Sequence, residues 1–398
     1  MEKYTQRGAE SQTDHGAGVM KPRKINISEP VMGEEEWNAL REPIATGWLT
    51  QGPKVKEFER LFAERHQVKN AIAVTSCTTA LHLSLLALGV KPGDEVIVPA
   101  FTWVATANAV LYCGATPVFA DIHLDSFNIA AEEVKRKITP RTKAIIAVHL
   151  FGLCADMDAI KAVAGNIPII EDAACASGAG YKGRPAGGLG TMACFSFHPR
   201  KAITTGEGGM ITTDDDALAQ TVDVLRNHGA SVSEEQRHRG PRPYILPDFK
   251  VMGFNYRMTD LQGALGMVQL KKLDRFIQER KHWADYYFRE LQSVNWLRLP
   301  LVPAESDHGW QSFVTIVDES SAPMPRNKIM EQLQEKGIST RPGTHAVHML
   351  NYYAKKYDFK PDDYPNARIA NDCSMAIPLH NKMDAADFAY IVETLKSF

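Results

Sequence analysis

The chain has 398 residues, enough to bury a large core and to form more than one domain. Lys and Arg number 45 against 47 Asp and Glu, so the formal net charge of −2 offers no electrostatic basis for binding nucleic acid or a membrane surface. No apolar run approaches the roughly 20 residues of a membrane span, and the N-terminus lacks the apolar core of a signal peptide.

The cysteines are scattered and form no CxxC pair, which indicates neither a zinc site nor a disulfide framework. They are Cys77, Cys113, Cys154, Cys175, Cys194 and Cys373. Buried free thiols are typical of a reducing compartment, so we expect a soluble cytoplasmic protein without a bound metal.

The N-terminal part of the chain changes character near residue 25. Residues 1–24 are polar and without periodicity, which predicts a disordered extension. Helical spacing of apolar residues then predicts one helix over 34–46 and a second over 55–65. Between these two helices lies the glycine-bounded loop 47–53, which contains Thr50.

Strand and helix patterns alternate from residue 71 to about residue 225. The predicted strands are 71–75, 95–99, 116–121, 143–149, 168–172, 193–197 and 209–213, and the helices between them are 80–88, 105–113, 131–138 and 157–164. This alternation predicts an α/β fold with a mostly parallel sheet that is covered by helices on both faces.

The last third of the chain predicts a smaller domain. Residues 231–250 are polar and predict a long surface loop, and a long helix over 260–291 follows. Helices over 325–336 and 384–395 then mix with strands over 312–317 and 339–341. We therefore divide the chain into the extension 1–24, a large domain over 25–258, and a connecting helix with a small α+β domain over 259–398.

Lys201 lies on a tight connection between two strand-like segments, behind a His-Pro pair and ahead of a Gly-Glu-Gly-Gly cluster. A lysine that is held and partly buried in such a place loses protonation and gains nucleophilicity, so Lys201 is a candidate Schiff-base nucleophile. The alternative is an ordinary solvated lysine beside Arg200.

Three further features support a nucleophilic lysine. Asp172 ends a buried type of apolar run, and α/β folds bind ligands at the carboxyl ends of parallel strands. Trp103, just past strand 95–99, offers a flat face on which a ring can stack. Strand 71–75 runs into a helix whose first hydroxyls and free amides form a candidate phosphate cradle, made of Ser76, Cys77, Thr78 and Thr79. A pyridoxal phosphate enzyme needs such a lysine, and an acid that keeps the pyridine nitrogen protonated.

The order and spacing of these features resemble the fold-type I pyridoxal phosphate enzymes, and more narrowly the sugar aminotransferases of the DegT/DnrJ/EryC1/StrS family. The resemblance runs from about residue 27 to the C-terminus and is carried by five phrases: GWLTQGPKVKEFE, PAFTWVATANAV, FSFHPRKAITTGEGGM, LRNHG and GFNYRMTDLQGALGMVQLKKL. It implies a fold-type I transferase whose large domain binds pyridoxal 5'-phosphate, which becomes pyridoxamine 5'-phosphate in the half-reaction.

The resemblance also implies roles for individual residues. Lys201 would form the Schiff base with the cofactor and then act as general base, and Asp172 would pair with the pyridine nitrogen. Some relatives carry histidine at the lysine position and eliminate, so a lysine argues for transamination. Ser196 resembles a serine that also holds the phosphate. Asn255 resembles the asparagine that reaches the cofactor phosphate of the other subunit, which implies a homodimer with shared active sites; the alternative for Asn255 is an ordinary turn cap.

Two positions depart from the family pattern. Cys175 stands where the family usually has a glutamine that contacts the phenolic oxygen of the cofactor, and a thiol is a weaker hydrogen-bond donor. Cys77 stands where the family prefers glycine in the phosphate cradle, which leaves the backbone amides of Thr78 and Thr79 to hold the phosphate.

Glu171, the residue before Asp172, alternates to the other face of its strand and is expected to be structural.

Four residues are expected to position the substrate. In the family the loop that contains Thr50 reaches the active site, and a histidine-containing segment lies near the substrate; in this chain that segment contains Arg341, His345 and His348. The alternatives are a plain helix connection for the loop and satisfied surface histidines for the segment.

These inferences predict a pyridoxal phosphate-dependent aminotransferase that moves an amino group from glutamate or glutamine to a nucleotide-linked keto-deoxysugar. The product would serve amino-sugar biosynthesis for a surface polysaccharide or a glycosylated metabolite. Two alternatives remain: an aminotransferase of a free keto-cyclitol, and a non-catalytic cofactor-binding regulator, which only Cys77 and Cys175 favour.

Overall fold

The computed structural model describes residues 24–230, 244, 246 and 248–398. The predicted disordered extension lies outside these residues except for Lys24, and so does most of the predicted surface loop 231–250. None of the helices in the described ranges is long and apolar enough to cross a membrane.

The described residues contain a central sheet and several small ones. The strands are β1 (Asn70–Val74), β2 (Glu95–Pro99), β3 (Phe101–Thr102), β4 (Thr116–Ala120), β5 (Thr142–Val148), β6 (Ile169–Asp172), β7 (Gly180–Tyr181), β8 (Arg184–Pro185), β9 (Met192–Ser196), β10 (Gly209–Thr213), β11 (Leu297–Arg298), β12 (Ser306–Asp307), β13 (Phe313–Val317), β14 (His345–Ala346) and β15 (Ser374–Ile377). Seven of them form the central sheet, in the order β1–β10–β9–β6–β5–β2–β4.

The central sheet is mostly parallel, as the alternation of strands and helices predicts. The strands β4, β2, β5, β6 and β9 are parallel, whereas β10 runs antiparallel to both of its neighbours. The register pairs Val148 with Asp172 and Asp172 with Cys194, so β5, β6 and β9 end at the same edge of the sheet. That edge is where ligands bind in open α/β sheets.

Helices cover both faces of the central sheet. The α-helices of the described residues are α1 (Glu34–Ala39), α2 (Arg41–Thr46), α3 (Pro53–His66), α4 (Cys77–Ala87), α5 (Ala105–Tyr112), α6 (Ala131–Lys137), α7 (Met157–Ala164), α8 (Asp216–Arg226), α9 (Asp260–Leu291), α10 (Arg326–Glu335), α11 (Asn351–Tyr357), α12 (Pro365–Cys373) and α13 (Ala385–Lys396), of which α10 and α13 pack into the core of a second sheet. Successive residues of β5 point into two different apolar cores, Ile146 into one and Ile145 into the other. The predicted fold class is confirmed.

Two predicted elements differ from the structure. The helix expected over 34–46 is two short helices that meet at Leu40, because Pro43 has no N–H to donate to the carbonyl of Ala39 and cannot continue the first helix. The strand expected over 339–341 is wrong: only Arg341 forms a β-bridge, with Ala376. A segment of three residues is too short for alternation of apolar and polar residues to indicate a strand.

A second, three-stranded sheet in the order β11–β13–β15 has its own apolar core, which includes Trp296, Phe313 and Phe388. The packing also crosses the predicted boundary. Ile25 pairs with Ile338 in this second region, while β14 pairs with β3, which follows directly on the central strand β2. The division at residues 258 and 259 stays a prediction.

Candidate active site

Asp172 is the last residue of β6 and is 5% exposed. Its carboxylate accepts hydrogen bonds from Thr106 Oγ1, 2.8 Å from Oδ2, and from the Ala174 amide, 3.2 Å from Oδ1. Burial raises the pKa of Asp172, although both hydrogen bonds and the charge of Lys201 oppose that rise. The carboxylate is therefore held rigidly, with its orientation set by two donors.

Glu171 points to the opposite face of β6, as strand alternation predicts. It is fully buried, and it accepts hydrogen bonds from His149 Nε2 at 2.9 Å and from the amides of Gly187, Leu189 and Gly190 at 2.6–2.9 Å. His149 Nδ1 accepts from the Ala155 amide, so the proton of the neutral ring lies on Nε2. Glu171 thus fixes the connection between β8 and β9 and has a structural role.

Lys201 follows β9 in a turn that the hydrogen bond from its own amide to His198 O closes at 2.8 Å. The side chain is partly buried, and Nζ lies 3.2 Å from Cys175 Sγ. Burial lowers the pKa of Lys201, but Cys175, Cys77 and Asp172 outweigh that effect and the pKa lies above its ordinary value. The expectation that burial makes Lys201 lose its proton is therefore wrong for the chain without a cofactor, because these neighbours favour the charged amine. The structure therefore brings the predicted lysine and the predicted acid into one electrostatic unit.

The start of α4 lies beside this unit. Ser76 is the N-cap, and its Oγ accepts from the Thr79 amide at 3.2 Å. The expectation that the Thr79 amide is available for a phosphate is therefore wrong, because the capping serine already uses it. The other first-turn amides, of Cys77 and Thr78, have no acceptor within the helix and point at its N-terminus.

Gly209 allows β10 to approach this helix start. A Cβ on Gly209 would lie 2.4 Å from the carbonyl carbon of Ser76, a distance that no side chain tolerates. Gly209 also pairs with Ser196, the last residue of β9, which is 8% exposed. The glycine thus lets Ser196 and the N-terminus of α4 lie close together.

The thiol of Cys77 contacts the ends of β6 and β9. Its Sγ lies 3.4 Å from Cys194 O and 3.9 Å from Asp172 Oδ1, and burial raises its pKa well above the ordinary value. A thiol is small enough to fit between α4 and β6. The cysteine in place of glycine is therefore accommodated beneath the cradle.

Trp103 and His345 lie together at the rim of the site. Pairing of β14 with β3 sets His345 opposite Thr102, and the rings of His345 and Trp103 meet edge to face with centroids 5.5 Å apart. Thr102 Oγ1 lies 3.0 Å from Thr106 Oγ1, which donates to Asp172. Trp103 is 61% exposed, so this rim is an open aromatic surface. The hydrogen bonds from Thr102 to Thr106 and from Thr106 to Asp172 connect it to the buried acid.

The other predicted substrate residues are placed differently. Thr50 is exposed, and its backbone carbonyl accepts a hydrogen bond from the Asp260 amide at 3.1 Å. Arg341 is also exposed, with Nη1 2.7 Å from Thr340 O. Whether Thr50 or Arg341 contacts substrate stays a prediction.

His348 is fully buried, which contradicts a contact with substrate. Its Nε2 donates to Pro361 O at 3.1 Å, and its ring packs on Tyr364 with centroids 4.7 Å apart. The spacing of three residues from His345 does not put both rings on one surface, because a short 3₁₀ turn over Val347–Met349 turns His348 inward. Burial lowers the pKa of His348, so it is a neutral core residue.

Asn255 lies on an exposed bridge. It pairs with Asn227, while the next carbonyl, of Tyr256, accepts from the Thr75 amide at 3.0 Å, one residue before the Ser76 cap. The side chain is exposed. The structure thus leaves Asn255 free to reach another molecule beside the helix start, and its predicted contact with a partner's cofactor stays a prediction.

Sequence reasoning missed Thr102 and Thr106, which join the rim to the acid. Thr102 ends β3, whereas Thr106 lies in the first turn of α5, so no single strand or helix period connects them. Their sequence spacing also gives no indication that Asp172 is the partner of Thr106.

These residues fit pyridoxal phosphate. A lysine amine and a carboxylate lie at the carboxyl edge of a parallel sheet, and a helix N-terminus opened by Gly209 lies beside them to accept an anion. Lys201 would hold the carbonyl carbon, Asp172 the ring nitrogen, and α4 with Ser196 the phosphate. This fold and site define a fold-type I pyridoxal phosphate-dependent enzyme.

The comparison with known proteins defines the family. The sequence profile described as the DegT/DnrJ/EryC1/StrS aminotransferase family matches residues 30–396, and the chain belongs to this family. It is 40% identical over 375 residues to the spore coat polysaccharide biosynthesis protein SpsC of Bacillus subtilis (strain 168). The aligned region covers 94% of this chain and 96% of that protein. The chain is therefore a pyridoxal phosphate-dependent aminotransferase.

Solved structures agree with this assignment. The putative sugar aminotransferase Spr1654 from Streptococcus pneumoniae in its PLP-form has a TM-score of 0.86 and 30% identity, over 94% of this chain and 98% of that chain. PseC of Helicobacter pylori, an aminotransferase involved in the biosynthesis of pseudoaminic acid, has a TM-score of 0.87 and 27% identity, over 94% and 100% of the two chains. The predicted recognition, enzyme class and cofactor are confirmed.

Replacing Thr106 with valine is expected to weaken cofactor binding roughly ten- to hundredfold, since a hydrogen bond to a charged group contributes about 1.5–3 kcal/mol. Without the Thr106 hydroxyl the pKa of Asp172 rises further, and less of the carboxylate is ionised to hold a protonated ring nitrogen. Spectrophotometric titration of the cofactor-free protein with pyridoxal phosphate measures the affinity. Thr106→Ser keeps the hydroxyl and should bind normally; an unchanged affinity in Thr106→Val would contradict the role.

Proposed function

We propose that this aminotransferase moves the amino group of glutamate, or of glutamine, to a ketone on a nucleotide-linked deoxysugar, in the synthesis of an amino sugar for a surface polysaccharide or a glycosylated metabolite. The similarity to SpsC and to PseC carries the proposal, because the first is described as a spore coat polysaccharide biosynthesis protein and the second as an aminotransferase involved in the biosynthesis of pseudoaminic acid. The open rim supports it, since a bulky acceptor needs an exposed face such as that of Trp103.

Bound pyridoxal phosphate supplies an electron sink that stabilises negative charge on the carbon that bears the amine. Lys201 is proposed to hold the cofactor until a substrate amine displaces it, and its free Nζ then takes the proton from that carbon. Nζ would pass this proton to the cofactor carbon that Lys201 had held. In the half-reaction with the ketone, Nζ would take a proton from that cofactor carbon and give it to the substrate carbon that receives the amine.

Asp172 and the helix start are proposed to hold the two ends of the cofactor. The carboxylate, fixed by Thr106 and the Ala174 amide, pairs with a protonated ring nitrogen and keeps the ring electron-withdrawing. The first amides of α4 and the Ser196 hydroxyl bind the phosphate, which the partial positive charge of a helix N-terminus favours. Trp103 stacks on the ring or on the substrate, and His345 beside it orients the acceptor.

We propose a homodimer in which Asn255 reaches the cofactor phosphate of the partner subunit. Asn255 is exposed, and the next residue, Tyr256, accepts a hydrogen bond from the Thr75 amide just before the start of α4. Large apolar side chains are also exposed on the isolated chain, among them Trp37 at 64%, Ile44 at 63% and Met252 at 82%, and burying such surface favours association. A cytoplasmic location is also proposed, because all six cysteines are free thiols.

Absorption spectra of the holoenzyme test both halves of the reaction. L-glutamate or L-glutamine is expected to move the cofactor band from about 420 nm to about 330 nm as the pyridoxamine form accumulates. The amine-loaded enzyme is then mixed with nucleotide-linked 4-keto-6-deoxyhexoses and, separately, with a free keto-inositol. Return of the band near 420 nm with a nucleotide-linked ketone supports the proposal, and return with the cyclitol alone would overturn it in favour of that acceptor.

A further inference from the structure

Cys175 contacts the amine of Lys201 in this chain. In the part of the chain that the structure describes, Lys201 Nζ has one hydrogen-bond partner, Cys175 Sγ at 3.2 Å. The two side chains come from different segments, 26 residues apart, that meet at the carboxyl edge of the central sheet. Sulfur accepts a hydrogen bond weakly when neutral and strongly as a thiolate, so the contact is sensitive to where the proton lies.

Both ends of this contact are rigid. Cys175 lies in a turn closed by the hydrogen bond from the Ala176 amide to Ala173 O at 2.9 Å, and the Ala173 amide donates to Cys194 O in β9. The Ala174 amide is bonded to Asp172, so the turn that carries the thiol also fixes the acid. The Lys201 amine and the Asp172 carboxylate therefore both contact the turn that contains Cys175.

The charged and titratable groups that face Lys201 come from four elements. Asp172 comes from the end of β6, Cys175 from the turn after it, Cys77 from the start of α4, and His198 from the turn of Lys201 itself. Burial lowers the pKa of Lys201, and the charge and hydrogen bond of Cys175 are the first contributions that raise it again. Cys175 thus contacts the amine and also opposes the effect of burial on the pKa of Lys201.

We propose that Cys175 is a positioning residue that holds the Lys201 amine, in a fixed orientation toward the site, whenever that amine is not bonded to the cofactor. The proposal rests on the proposed role of Lys201 and does not depend on which sugar the enzyme aminates. A general base must keep its geometry after it is released, and a hydrogen bond from a rigid turn provides that geometry.

Labelling of the cofactor-free protein with acetic anhydride over a range of pH measures the protonation of Lys201, with peptide mass spectrometry as the readout. In Cys175→Ala the pH at which half of the maximal labelling rate of Lys201 is reached should fall by about one unit or more. At a pH below the midpoints of both proteins, Lys201 of the variant should therefore be labelled about tenfold faster than Lys201 of the parent. Cys175→Ser restores an acceptor and should lie in between. The matched control is Cys373→Ala, which removes a thiol of similar exposure in α12 and should leave Lys201 unchanged.

A second measurement uses the holoenzyme and L-glutamate only. The acid limb of the pH profile for the rate of the glutamate half-reaction should move to lower pH in Cys175→Ala, with KM unchanged, because the thiol acts on the base and does not touch the amino acid. An unmoved labelling midpoint, an equal shift in Cys373→Ala, or an unmoved acid limb would each overturn the proposal. Both measurements can be made without the ketone acceptor, so a failure to identify that acceptor would not affect them.

Discussion

Replacing Lys201 with alanine is expected to lower the rate of transamination at least about a thousandfold while leaving the fold intact. The residue combines two functions, since its amine would both hold the cofactor and move the proton, and general acid–base catalysis alone contributes about 10²–10⁴ in rate. The side chain is only partly buried and lies in a turn held by backbone hydrogen bonds, so its loss removes no core packing. Formation of 2-oxoglutarate from L-glutamate measures the loss.

The neighbouring Arg200→Ala is the matched control, because Arg200 is an exposed residue of the same turn and its contact to Gln311 uses only its backbone carbonyl. It should retain nearly full activity. Lys201→Arg keeps the positive charge but removes the nucleophile, so it should be as inactive as the alanine variant. Activity in Lys201→Ala within tenfold of the parent enzyme would contradict the assignment, and circular dichroism excludes misfolding as the cause of a loss.

The acid and the lysine were predictable because their signals are local. Asp172 ends an apolar run, and a strand that ends in a carboxylate needs no knowledge of distant residues to indicate a ligand edge. Lys201 stands between a His-Pro pair and a glycine cluster, which mark a tight connection wherever they occur. The helix start was predicted for the same reason, since Ser76 precedes the helix as an N-cap.

What escaped prediction depends on contacts that sequence spacing does not encode. Thr106 bonds to Asp172 across 66 residues, and Lys201 bonds to Cys175 across 26, so neither partner is visible in a local pattern. The error on His348 has the same origin, because whether a histidine three residues from His345 faces out or in depends on a 3₁₀ turn set by tertiary packing. The Thr79 amide was misjudged because the cap that predicts the helix also consumes the donor.

Replacing Glu171 with alanine is expected to destabilise the fold by roughly 3–5 kcal/mol, the range for breaking a fully buried charged hydrogen-bond network. The side chain is fully buried, and its loss leaves His149 Nε2 and three backbone amides, of Gly187, Leu189 and Gly190, without their acceptor. Scanning calorimetry should show the fall in Tm. The control Glu57→Ala removes an exposed carboxylate that pairs with Arg60, and its Tm should stay within about one degree of the parent.

The pH dependence of this loss identifies the charge as its cause. Burial alone would raise the pKa of Glu171, but the hydrogen bonds from His149, Gly187 and Gly190 outweigh burial and the pKa lies below its ordinary value. A carboxylate with a depressed pKa stabilises the fold above the pKa of the unfolded chain, about 4.3, and that stabilisation disappears as the pH falls through the lower folded value. The Tm difference between the parent and Glu171→Gln should therefore be constant above about pH 5 and shrink at lower pH. A difference that stayed constant down to pH 3 would show that Glu171 contributes through packing and that its charge is not the source of the stability.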